Sequence, residues 1–141
     1  MPARMAEATW EGTLQEGNGS LKVGSGAFEG PFTFKSRFES APMTNPEELL
    51  GAAHAGCFTM ALGARLGREG HNVGRIHTTA QVHLEKGESG FSISRIDLET
   101  EGQIEGISQD EFNAAAEATK EACIVSKALS SVPMTVKATL L

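Results

Sequence analysis

Tyrosine does not occur among the 141 residues, tryptophan occurs once, at Trp10, and cysteine occurs only at Cys57 and Cys123. Two thiols 66 positions apart exclude a disulfide-dense secreted scaffold and every zinc motif built on a close cysteine pair. There is no basic run, and 12 Lys and Arg against 18 Asp and Glu give a net charge of −6. Nucleic acid and anionic membrane are therefore not expected as partners, since both need clustered cations. No apolar stretch follows Arg4 in the opening residues Met1-Pro-Ala-Arg-Met-Ala-Glu, so no leader is expected and a cytoplasmic location is. G-x-S-x-G and H-E-x-x-H are both missing. The glycines at 24, 26 and 30 read G-x-G-x-x-x-G between strands, not the G-x-G-x-x-G that opens a dinucleotide-binding helix.

What is present describes an ordinary folded chain: 40% apolar residues, 21% charged and 16 glycines, at a length suited to one domain, 1–141. Short alternating runs at Ala6–Leu14, Ser20–Val23 and Pro31–Phe38, separated by glycine turns, predict an antiparallel meander. Asn45-Pro46-Glu47-Glu48 then supplies a cap, a proline suited to the first helical position and two carboxylates for the positive end of the dipole. A helix from Pro46 to about Gly67 follows. Between Leu49 and Ala64 only His54 and Thr59 are polar, a run too short and too rich in Ala and Gly to span a bilayer comfortably. Such a helix needs cover on every side; one sheet covers one side, so a homodimer is expected to cover the other.

Further on, Ile76, Thr78, Ala80, Val82 and Leu84 share one strand face, Lys86–Gly90 is a hairpin loop, and Phe91–Leu98 returns. Ser108-Gln-Asp-Glu111 is a capping box opening a helix with Phe112, Ala115, Ala116, Thr119, Ala122 and Cys123 on its apolar stripe. Val132–Leu140, with Pro133 at its start, closes the chain as an edge strand. The fold class is α+β, with antiparallel sheets and two central buried helices. His54, His71, His77 and His83 show no metal-ligand spacing; His77 and His83 share a strand face roughly 20 Å apart.

Both cysteines fall on predicted helices, and free cysteine is commonly a small buried hydrophobe. If the two helices pack on one another, the thiols can instead approach within the Cα separation of about 4.4–6.8 Å that a disulfide needs. Spacing alone leaves packing and redox chemistry both open.

The segment Asn45-Pro-Glu-Glu-Leu-Leu-Gly-Ala-Ala-His-Ala-Gly-Cys57-Phe-Thr-Met-Ala-Leu62, preceded by Ser36-Arg37-Phe38-Glu39 and followed by Glu121-Ala-Cys123, closely resembles the OsmC/Ohr family of thiol-dependent peroxidases, and the OsmC branch more than the Ohr branch. The resemblance covers essentially the whole chain. It implies an intertwined homodimer that reduces organic hydroperoxides, and hydrogen peroxide less efficiently, in defence against oxidative or osmotic stress. Cys57 matches the family's peroxidatic cysteine, Cys123 its resolving cysteine, Arg37 its active-site arginine and Glu47 the glutamate that orients that arginine. Glu48 and His54 are candidates for the surrounding shell. Phe38, Leu49, Leu50, Phe58 and Met60 are candidates to line an apolar pocket suited to an alkyl or lipid hydroperoxide. No nicotinamide, flavin or metal site is expected, so an external thiol closes the cycle; the resemblance implies a dithiol, such as a lipoyl group on a partner protein. The alternative is a non-catalytic redox-sensing or ligand-binding domain on the same scaffold.

The residue types suit the reaction. A cysteine of ordinary pKa is only about 3% thiolate at pH 7, and a guanidinium beside it raises that fraction. Arginine stays charged and can also donate to peroxide oxygens. Ten residues of helix put Glu47 roughly 15 Å from Cys57, so the glutamate acts from a partner subunit or through Arg37 as a bridge.

Overall fold

The computed structural model describes residues 2–141; Met1, at the head of the leader reading, lies outside them. Two compact units divide the chain, the first ending at Leu49 and the second running Leu50–Leu141. In the first, β1 (Ala6–Glu11), β2 (Asn18–Val23) and β3 (Glu29–Phe32) form the expected antiparallel meander. The third strand does not continue to Phe38. Thr33 caps a short helix instead, α1 (Phe34–Phe38): its Oγ1 accepts from the Ser36 amide at 3.2 Å while Ser36 Oγ accepts from the Thr33 amide at 2.8 Å. Reciprocal capping wins over the alternation of Phe32, Phe34 and Phe38, and Arg37 consequently sits on a helix.

The long helix α2 (Pro46–Arg68) opens as its sequence predicts, with Asn45 Oδ1 accepting from the Glu48 amide at 2.8 Å. It stops at Gly70, whose φ of 90° lets the His71 amide return to the Leu66 carbonyl at 3.0 Å. Gly51, His54, Phe58, Leu62 and Leu66 make its buried stripe, while Ala52, Ala53, Gly56, Met60, Ala64 and Gly67 are exposed, Met60 by 81%. Within one chain, then, only one side of α2 is covered. By length and hydropathy α2 could cross a membrane, being longer than its apolar run alone; its stripe of Phe58, Leu62 and Leu66 packs into the core.

In the second unit β4 (Val73–Gly87) and β5 (Gly90–Ile104) form a long antiparallel hairpin. The closing strand β6 (Met134–Leu140) is at the sheet edge, but it runs parallel to β5, so this sheet is mixed where an antiparallel one was expected. The intervening helices α3 (Gln109–Ala122) and α4 (Ile124–Ala128) provide the crossover a parallel pair requires. Ser108 caps α3 by accepting from the Glu111 amide at 3.1 Å, but the reciprocal half of the box is a Ser108 hydroxyl bond to Glu111 at 3.4 Å. Ile96, Leu98 and Ile104 of β5 meet Phe112, Ala115 and Ala116 of α3 and Phe58, Leu62 and Leu66 of α2 in one core. Gly102 permits the approach: a Cβ there would stand 2.8 Å from Phe112 Cζ.

Candidate active site

Cys57 lies on α2, half-buried, and Cys123 is 1% exposed in the core. Cys123 is not inside α3 as expected. It is the residue between α3 and α4, with non-helical φ −59° and ψ 137°, closing one helix and opening the next. That kink turns its sulfur to Cys57, and the two free thiols meet at 3.2 Å across 66 residues of sequence.

Burial raises the Cys57 thiol above its ordinary pKa, the Val125 amide opposes this, Cys123 adds to it, and the Ile124 amide opposes it again. The direction is contrary to that expected of a thiol beside a guanidinium, and the reason is that, among the described residues, the groups acting on Cys57 are Cys123 and the Val125 and Ile124 amides, none of them a cation. On Cys123 burial also raises, but the Ser126 hydroxyl and amide, the Cys57 thiol and the Val125 amide outweigh it and hold Cys123 below the ordinary value. Burial and the neighbouring thiol thus push Cys57 up, while the Ser126 and Val125 donors pull Cys123 down.

Behind Cys123 stands His54, fully buried, whose Nε2 lies 2.8 Å from Ser126 Oγ. Burial lowers its pKa, so the imidazole is neutral near pH 7. Its Nδ1 has no partner. Ser126, 3% exposed, went unnoticed in the sequence. Its position three residues after Cys123, where a capping partner stands, is the signal that could have found it.

Arg37 and Glu47 meet in the first unit of the same chain. Glu47 Oε1 accepts from Arg37 Nε at 3.0 Å and from Nη2 at 2.9 Å. Glu47 is 7% exposed and its Oε2 is buried without a partner, while the arginine side chain is 42% exposed. Local bonds set this geometry: buried Ser36 donates through its hydroxyl to the Thr44 carbonyl at 2.8 Å, and Asn45 Nδ2 donates to the Ser36 carbonyl at 3.0 Å. Asn45 therefore ties α1 to the start of α2, and Arg37 and Glu47 are carried along.

The other candidates scatter. Phe38 is half-buried, tilted at 45° against Phe34 with centroids 4.9 Å apart and 5.3 Å under the Arg37 guanidinium. Leu49 and Leu50 are half-buried, Glu48 is an exposed first-turn carboxylate, Met60 is exposed, and Phe58 is wholly enclosed in the core. Among the described residues no cluster of three His, Cys, Asp or Glu could hold a metal ion.

A family model described as OsmC-like protein matches residues 39–137, a span that includes Glu47, Cys57 and Cys123 and begins just after Arg37. The chain is 41% identical over 129 residues to "Peroxiredoxin OsmC" of Escherichia coli (strain K12), covering 91% of this chain and 90% of that one, and equally to the protein of that name from Shigella flexneri. An organic hydroperoxide resistance protein from Elizabethkingia anophelis is similar at a TM-score of 0.75 and 25% identity, over 99% of this chain and 96% of that one. OhrB of Bacillus subtilis shares the fold at a TM-score of 0.70 and 24% identity, over 97% and 98% of the two chains.

Proposed function

The chain belongs to the OsmC family and is a cysteine-based peroxidase, and from that premise we propose that it reduces organic hydroperoxides at Cys57, with Cys123 as resolving cysteine. The observation that carries this reading is the 3.2 Å approach of the two sulfurs. The Cys57 thiolate attacks the outer peroxide oxygen, the O–O bond breaks, and the alkoxide leaves as alcohol once protonated. Cys57 is left as sulfenic acid. The Cys123 thiolate then attacks that sulfur, the S–O bond breaks, water leaves, and a disulfide forms before further oxidation. An external dithiol reduces the disulfide.

The cation missing around Cys57 in the chain is Arg37, held by Glu47 and brought to the thiolate in a homodimer. The exposed apolar face of α2 supports that assembly, since a stripe carrying a Met60 exposed by 81% is costly to leave in water. Phe38, Leu49, Leu50 and Met60 supply an apolar lining that favours alkyl over hydrogen peroxide, and Phe58 backs the thiol from the core. One domain spans the chain and works in the cytoplasm, in defence against oxidative stress.

Turnover of an alkyl hydroperoxide with a dithiol tests the reading. Cys57→Ser abolishes it, whereas Cys123→Ser permits one oxidation per site and then over-oxidises. Full turnover by Cys57→Ser refutes the assignment, and oxidation of the thiols without turnover in the parent protein favours a sensing or binding role.

A further inference from the structure

Ser126 carries one hydroxyl proton; its Oγ lies 2.8 Å from His54 Nε2, and it stands in the first turn of α4 after Cys123, the buried thiol that its hydroxyl and amide pull down. Hydrogen accounting decides where that proton goes. If His54 were protonated on Nδ1, it would bury an N–H with no acceptor, since nothing bonds Nδ1; a buried donor left unpaired costs about 1–3 kcal/mol. With the proton on Nε2, His54 donates to Ser126 Oγ, and the orphaned Nδ1 is only a bare lone pair. The Ser126 hydroxyl is then free to point at the sulfur.

We propose that Ser126 is a further catalytic residue, donating to Cys123 Sγ, and that His54 is the positioning residue that fixes the Ser126 hydroxyl in that direction. The inference rests on the reading of Cys123 as resolving cysteine and goes beyond it, because it assigns the stabilisation of one sulfur to a relay buried on α2 and α4. His54, Ser126 and Cys123 are all 3% exposed or less, so water does not compete for these bonds. The lowered position of Cys123 relative to Cys57 agrees with this donor set.

The relay acts twice in the cycle. In resolution it stabilises the Cys123 thiolate that attacks the Cys57 sulfenic sulfur; the S–S bond forms, the S–O bond breaks, and the departing hydroxide takes a solvent proton. In reduction, a thiolate of the external dithiol attacks Cys57 Sγ, the more accessible sulfur of the disulfide. Cys123 leaves as thiolate onto the Ser126 hydroxyl, and the second dithiol sulfur displaces Cys57 from the mixed disulfide. A leaving thiolate of low pKa departs faster, so the same hydrogen bond directs the reductant to Cys57.

The test separates this relay from mere packing. In a Cys57→Ser background Cys123 is the only thiol, and its thiolate absorbance is followed against pH. Ser126→Ala is expected to lower the thiolate fraction at fixed pH about tenfold, the loss of one hydrogen bond to an anion. His54→Leu gives the same direction, and His54→Gln, whose amide can occupy the Nε2 position as a donor, restores most of it. With both cysteines present, the Cys57 sulfenic acid formed by an alkyl hydroperoxide should live about tenfold longer in Ser126→Ala, as read by quenched-flow mass spectrometry. An unchanged Cys123 titration in Ser126→Ala overturns the proposal, and equal behaviour of His54→Leu and His54→Gln overturns the role of His54. Failure of the underlying reading shows separately, as the absence of a Cys57–Cys123 disulfide in the parent protein after one equivalent of an alkyl hydroperoxide.

Discussion

Arg37 and Glu47 illustrate how a charged pair is held in readiness. The carboxylate is nearly enclosed, and one of its oxygens takes both guanidinium donors, which fixes the plane of the arginine while its outer edge stays exposed. Lysine has no such fork, so Arg37→Lys keeps the charge and loses the orientation. Arg37→Met is expected to slow oxidation of Cys57 by an alkyl hydroperoxide at least about tenfold, and to raise the pH at which Cys57 becomes reactive, because it removes the cation assigned to the thiolate. Stopped-flow rates across pH read both effects; an unchanged profile removes Arg37 from the mechanism. The residues of the proposed site are legible in the sequence, since Arg37, Glu47, Cys57 and Cys123 lie in recognisable motifs. Ser126 was not, because its meaning comes from a histidine 72 positions away and a cysteine at a helix junction.

At the scale of elements, periodicity located the strands and the long helix, and capping residues located their ends. It misjudged two places for physical reasons. Pro31–Phe38 alternates like a strand, yet the Thr33 and Ser36 capping pair outcompetes that pattern. Parallel pairing of β6 leaves no mark on a strand whose inward face, Met134, Val136, Ala138 and Leu140, reads the same in either direction. The second sheet is tied across all three strands at Asp97, which accepts from Thr135 of β6 at 2.7 Å, from Arg95 at 2.9 Å and faces His83 of β4 at 2.9 Å. Thr135 first, then Arg95 and His83, lower its carboxyl to about 2 from 3.8. A depressed carboxyl stabilises the fold above its unfolded pKa and loses that contribution as pH falls through the folded one. Asp97→Asn is therefore expected to lower Tm at pH 6, with the difference from the parent shrinking between about pH 4 and pH 2; a difference constant over that range contradicts the linkage. Gly102→Ala forces a methyl toward Phe112 and Ile104 and should cost about 1–3 kcal/mol in denaturant unfolding.

For the whole molecule, the near absence of polar residues on α2 leads to the expectation of a second copy, and the exposed face of that helix is the surface proposed to receive it. Ala52, Ala53, Gly56, Met60, Ala64 and Gly67 form an exposed stripe of small residues around one methionine, a surface that lets another helix come close. Met60→Asp places a charge in that seam. It is expected to shift the dimer to monomer in analytical ultracentrifugation and to reduce peroxidase activity in proportion, because Arg37 no longer reaches the thiolate; a fully active monomer excludes the composite site.

The proposed cycle divides its labour between two sulfurs 3.2 Å apart. Intact-mass analysis after one equivalent of an alkyl hydroperoxide tests it most directly. The parent protein should lose two hydrogens as Cys57 and Cys123 join, and Cys123→Ser should gain one oxygen on Cys57. Oxygen appearing on Cys123 in a Cys57→Ser protein at the parent rate, or no disulfide in the parent, would contradict the account.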